Sequence, residues 1–217
     1  MRRFCLLGWL LLLLAAPSFA NMITNGDFET PIVPLGGFLN YGTGSTLITG
    51  WTVIGRQVSI VSGSYFSNGA LFPAESGVQW LDLTGDLSNQ MGEGVTQTVA
   101  TTPGQVYQLS YWLGNVTAPG YGTTSTASIT INGTVTFTDT NSTVSPTLLV
   151  WQQFTHTFTA AGTSTTIGFL NEDPSSDNSN GIDNVVLTPV MSSIPEPTSL
   201  LLFVTSGLGL FLRRKPW

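Results

Sequence analysis

The chain has 217 residues, 41% of them hydrophobic and only 8% charged, with one cysteine and a formal net charge of −6. From Asn21 to Ser193 the imbalance is sharper, because Arg56 is the sole cation against eleven carboxylates, a net of −10. A surface so poor in cations cannot neutralise a phosphate backbone, which excludes nucleic acid as a partner. The lone Cys5 leaves no disulfide or thiol chemistry downstream.

The chain opens on Arg2-Arg3, an apolar run from Phe4 to Leu14 and the small-residue stretch Pro17-Ser18-Phe19-Ala20. Basic start, short apolar middle and small residues before the cut define a secretory signal peptide over 1–20. From residue 21 to 190 no window sustains helical periodicity. Short runs of Thr, Val, Ile and aromatics alternate with Gly, Asn, Asp and Pro, which predicts an all-β sandwich. The predicted strands are 21–24, 47–54, 58–62, 78–83, 95–100, 105–113, 126–132, 134–138, 149–160, 163–170 and 181–187. Tyr107, Leu109, Tyr111 and Leu113 share one face of their strand, as do Ala127, Ile129 and Ile131. Asn132-Gly133 marks a tight hairpin and Thr102-Pro103-Gly104 a turn. Four loops, 36–46, 63–77, 114–125 and 171–180, hold most of the remaining length and are where a sandwich places binding residues.

Beyond the domain, residues 191–199 form a spacer carrying Pro195-Glu196-Pro197, residues 200–212 an apolar transmembrane helix, and residues 213–217 a basic tail with Arg213, Arg214 and Lys215. The positive-inside rule leaves those cations in the cytoplasm and the β domain outside. The roughly 15 residues from Thr198 to Leu212 span, as a helix, about 22 Å against a hydrocarbon core of about 30 Å, which suits a processing helix better than a permanent anchor. Pro-Glu-Pro, helix and basic cluster together resemble the PEP-CTERM sorting signal of Gram-negative bacteria that make exopolysaccharide. The resemblance implies an exosortase-type sorting enzyme as partner, passage through the inner membrane and display at the cell surface or in the extracellular matrix.

A second resemblance covers the domain itself. NGDFE (25–29), GWTV (50–53), GVQWLDLTG (77–85), VTQTVATTPGQVYQLSYWLGN (95–115) and GIDNVVL (181–187) are similar, in that order, to the choice-of-anchor C family and to plant cell-wall proteins with a galactose-binding-like domain. The likeness implies a jelly-roll β-sandwich whose first and last strands lie together. It also implies a structural calcium held by Glu29 and Asp183, with backbone carbonyls completing a shell of about six to eight oxygens; the alternative reading has Asp183 and Asn184 capping a turn and Glu29 solvated.

Candidate binding residues follow from strand phase. Trp80 and Trp112 alternate with Leu81 and Leu113, so if the leucines face the core both indoles look outward. Tyr65 and Tyr121, with Tyr41 and Phe66, fall in loops and could form a rim on which sugar rings stack. Trp51 and Trp151 read as packing. Enzymatic readings lack parts: His156, the only histidine, lies between Phe154 and Phe158 on an apolar face, and there is neither a nucleophile elbow nor a zinc ligand set. Glu75, Asp82, Asp86 and Glu93 match no hydrolase spacing and read as solvated. The sequence thus describes a non-enzymatic, exported carbohydrate-binding or adhesion module. A matrix spacer without a glycan ligand, or a carboxylate-dependent glycan hydrolase, are the alternatives.

Overall fold

A computed structural model describes residues 19–86, 89–175 and 180–191. The predicted signal peptide up to residue 18 lies outside the described residues, as do the Pro195-Glu196-Pro197 spacer, the transmembrane helix and the tail with Arg213 and Arg214. Among the described residues no helix is long and apolar enough to cross a membrane.

The described regular elements are strands: β1 (Phe38–Gly42), β2 (Thr52–Ile54), β3 (Gln57–Ser62), β4 (Tyr65–Ser67), β5 (Ala70–Phe72), β6 (Gln79–Asp82), β7 (Gly94–Ala100), β8 (Val106–Asn115), β9 (Ser125–Ile131), β10 (Thr134–Asn141), β11 (Val150–Thr159), β12 (Ser164–Asn171) and β13 (Gly181–Pro189). A six-stranded sheet in the order β1-β3-β6-β13-β8-β11 packs on a five-stranded sheet in the order β10-β9-β12-β7-β2, and β4-β5 form a separate hairpin. This is a jelly-roll β-sandwich, and the strands within each sheet pair antiparallel.

Strand phase places the core where alternation said it would be. Tyr107, Leu109, Tyr111 and Leu113 of β8 are all buried between the sheets, facing Ala127, Ile129 and Phe169 of the second sheet. Asn132 (φ 52°) and Gly133 (φ 79°) both take positive φ, the requirement of a two-residue primed turn between β9 and β10.

Three strands fall inside expected loops. β1, β4 and β5 lie in glycine-rich segments without alternation and owe their conformation to pairing partners: β1 lies along the edge of β3, and β4 along β5. Conversely, residues 21–24 form no strand. The Asn21 side chain substitutes for a ladder, donating to the Val185 carbonyl at 2.8 Å and accepting the Leu187 amide at 2.9 Å, beside one backbone bond from Met22 to Leu187. The predicted 47–54 strand shortens to β2 because the chain turns at Ile48–Trp51, where the Trp51 amide donates to the Ile48 carbonyl.

At one side of the sandwich the edges β10 and β11 come together around a polar cluster. Asp139 accepts from the Tyr111 hydroxyl and lies 2.5 Å from His156 Nε2, while the imidazole stacks on Phe137 with centroids 4.1 Å apart. Burial and the neighbouring carboxylate push the Tyr111 hydroxyl above its ordinary value. Asp139→Ala strands two polar partners at once and is expected to cost about 1–3 kcal/mol, read as a lower denaturant midpoint. Tyr111→Phe added to that variant should cost little more; full additivity would show that the two groups do not share the carboxylate.

Candidate functional site

The outer face of the six-stranded sheet carries the unusual features. Register aligns Asn40, Ser59, Asp82, Gly181, Gly114 and Trp151 in one row across it, and beside that row Phe38 with Val61 and Trp80, and Asp183 with Trp112 and Gln153. The two glycines make room for indole rings. A Cβ on Gly114 would sit 2.9 Å from Trp151, and one on Gly181 2.9 Å from Trp151 and 3.0 Å from Trp80, so the indoles pack directly against bare backbone.

This face is not open to solvent throughout. The β4-β5 hairpin and the segment that follows it fold over Trp80 and Trp151, whose indole N–H groups donate to the carbonyls of Phe72 (3.2 Å) and Pro73 (3.0 Å). Together with Val61, Ala70, Val116, Ala118 and Leu149 they form a second apolar cluster separate from the core. Trp80 does point away from the core, as its phase requires, but lies under this cover with 2% of its surface exposed. Trp112 is half-buried on the same face, next to Asp183.

Two carboxylates fasten the cover. Asp183, fully buried, accepts the amides of Glu75 (2.9 Å) and Ser76 (3.0 Å) on one oxygen and that of Asn184 (2.7 Å) on the other. Burial, opposed by those amides, pushes its carboxyl up to about 8. Glu29 reaches the same segment from the other side, accepting the amides of Val78 (2.7 Å) and Gln79 (3.0 Å). Gly77 is obligatory between them, since a Cβ there would lie 2.2 Å from the Glu29 carboxylate. Amide hydrogens are thus aimed at both oxygens of Asp183 and at Oε1 of Glu29, which ties each carboxylate to backbone. Among the described residues no three His, Cys, Asp or Glu side chains gather closely enough to hold a metal.

Where the cover ends, a cleft of about 280 Å³ opens over the first rows of the sheet. Phe38, Tyr65, Phe72, Trp80 and Tyr121 supply its rings, and Ser59, Asn68, Asp82 and Asp86 its polar groups. The rings support one another: Tyr65 packs on Phe38 (5.6 Å) and Phe72 (5.5 Å), and Phe72 on Tyr121 (5.0 Å) and Trp80 (6.3 Å). Asp82 is held from below by the Thr84 amide (2.9 Å) and hydroxyl (2.7 Å), and burial pushes its carboxyl up to about 7. Asp86 stands exposed at the rim, its amide bound by the Gln57 side chain at 3.0 Å.

Of the residues expected to bind ligand, the cleft therefore gathers Tyr65, Tyr121 and the edge of Trp80, and does not include Trp112. Tyr41 is core, 6% exposed, and Phe66 is exposed outside the cleft lining. The four acidic residues read as solvated divide differently: Glu93 is buried and accepts the Arg56 amide at 3.0 Å, Glu75 accepts from the Asn184 side chain, and Asp82 is sunk in the cleft because it shares the outward phase of Trp80. Phe38 and Phe72, which complete the ring wall, carry no sequence signal, because the short strands that hold them have no periodicity.

Sequence and structure comparisons complete this description. The tail, residues 193–215, matches the PEP-CTERM protein-sorting motif. Halomucin of Haloquadratum walsbyi is 33% identical over 184 residues, covering 82% of this chain, and the chain spans only 2% of that relative's length. Among solved structures, the second family 16 carbohydrate-binding module is 22% identical, covering 77% of this chain and 99% of that one with a TM-score of 0.45. The CBM22-1 xylan-binding domain of Paenibacillus barcinonensis Xyn10C is 17% identical, covering 74% and 99% with a TM-score of 0.43. Residues 21–190 match the model described as protein of unknown function DUF642, and the chain belongs to that family.

Proposed function

We propose that the chain is an exported surface protein, sorted through its tail by an exosortase-type membrane enzyme, whose sandwich holds polysaccharide in the aromatic cleft without cleaving it. The sorting motif supports the first part. The observation that carries the second is the cleft itself: a ring-walled recess whose polar lining comes from short side chains, Ser59, Asn68, Asp82 and Asp86. Sugar rings offer an apolar C–H face for stacking and hydroxyls for hydrogen bonds, and such a lining meets both needs. Many copies on one surface would raise a weak single-site affinity by avidity, fitting an association with exopolysaccharide.

Retention of the full-length chain on a panel of soluble and insoluble polysaccharides tests this. Tyr65→Ala and Tyr121→Ala are each expected to weaken retention about five- to tenfold, about 1–1.4 kcal/mol by the worth of an aromatic contact. Trp112→Ala, outside the cleft, should leave it unchanged. Failure of every polysaccharide to bind would favour a matrix spacer, and release of reducing ends that vanished in Asp86→Asn would favour a hydrolase.

A further inference from the structure

The charge around the cleft goes further than its shape. We propose that the cleft selects glycans carrying a protonated primary amine, that is, de-N-acetylated amino sugars, an inference that rests on the glycan-binding reading above. The two ionisable acids lining the cleft are Asp82 and Asp86, and the lining contains no Lys, Arg or His. Arg56, the sole cation between Asn21 and Ser193, is not among the lining residues either. Asp82 is held by dipoles alone, the Thr84 amide and hydroxyl with the Asn180 amide, so no full positive charge offsets it. A neutral sugar would leave that imbalance as it stands, and a uronate would add to it. An ammonium group complements it twice, through the carboxylates and through the aromatic rings of Tyr65 and Tyr121. Discrimination then comes from repulsion as well as attraction, since acetylation removes the charge and an acidic polymer meets like charge.

Protonation sets the pH profile. The groups that face Asp82 are Asp86 on the following loop and Tyr121 on the β8–β9 loop, with Tyr65 of β4 beside Tyr121. Burial pushes Asp82 up to about 7, so acid removes its charge, while alkali removes that of the amine. Affinity is therefore expected to be bell-shaped, with an acid limb near pH 7.

The experiment is calorimetric titration of the full-length chain with oligomers of glucosamine and, at equal length, of N-acetylglucosamine. At neutral pH the glucosamine oligomer is expected to bind at least tenfold more tightly, with Asp82→Asn or the rim variant Asp86→Asn reducing that preference at least threefold and Asp82→Asn abolishing the acid limb. Asp86 is exposed, so its variant keeps the test valid should Asp82→Asn unfold. Equal binding of both oligomers, lost in Tyr65→Ala and Tyr121→Ala, would overturn the amine selectivity and leave a glycan cleft standing. Binding of neither, with a neutral polysaccharide retained, would do the same. No binding of any glycan would overturn both.

Discussion

Asp183→Ala is expected to destabilise the domain by about 3 kcal/mol and to free the segment over Trp80 and Trp151. The variant leaves the amides of Glu75 and Ser76 without their acceptor, each such loss costing about 1–3 kcal/mol. It also opens the route by which the carbonyls of Phe72 and Pro73 reach the two indoles. For a domain of this size the thermal midpoint should fall by about 6–12 °C, accompanied by a red-shifted tryptophan emission. A midpoint within 2 °C of the parent would show that Glu29 alone holds the segment.

The same carboxyl makes a pH prediction whose sign is fixed by its environment. Folded Asp183 titrates near 8 and an unfolded aspartate near 3.9, so its contribution to stability is fully present below about pH 4 and is lost as pH rises through 8. Asp82, near 7, contributes in the same direction over a narrower window. Acidification from pH 8 to 6 should therefore raise the midpoint of the parent, and Asp183→Ala should keep only the smaller slope due to Asp82. Calcium held by Glu29 and Asp183, the arrangement suggested by the sequence motifs, carries the opposite signature: a midpoint that falls with a chelator. The amide latch predicts no change with chelator in either protein.

Much of this architecture was readable because strand phase is a strict two-residue rule. Leu81 and Leu113 had to face one way and Trp80 and Trp112 the other, and they do. The motifs quoted from the sequence also prove to be one physical knot. Trp51 of GWTV donates to the Asn25 carbonyl of NGDFE at 3.0 Å, Glu29 of NGDFE binds the amides of GVQW, and GIDN sends Asp183 onto the residues just before it. Phase alone could not say what covers an outward face. Phase turns Trp80 outward as if onto an open stacking platform, whereas the hairpin that buries it is built from β4 and β5, three residues each, which give no periodic signal. For the same reason the cleft is half legible: Tyr65 and Tyr121 stand out as loop aromatics, but the acid beside them, Asp82, reads as solvated in sequence.

The knot also has a sharp steric test at its centre. Gly26→Ala is expected to cost about 3 kcal/mol, because an added Cβ would lie 2.1 Å from the Val185 carbonyl oxygen and 3.2 Å from Ile23. The clash is with backbone on one side, so no rotamer change relieves it. The Gly26 carbonyl accepts the Val185 amide at 2.8 Å, and moving the two chains apart breaks that bond too. Val185 sits in the β13 irregularity between Asp183 and Val186, where Asn184 adopts a positive φ of 48°. A displaced Val185 therefore shifts Asp183 and loosens the cover from a distance. Gly26→Ala should lower the midpoint by about 6–12 °C and, unlike a simple core defect, should increase hydrogen exchange at the Glu75 and Ser76 amides. Unchanged exchange there would mean that the joint between the two chain ends and the cover of the outer face fail independently. In Gly26→Ala combined with Asp183→Ala, a cost well below the sum of the two would show that both act on the same contact.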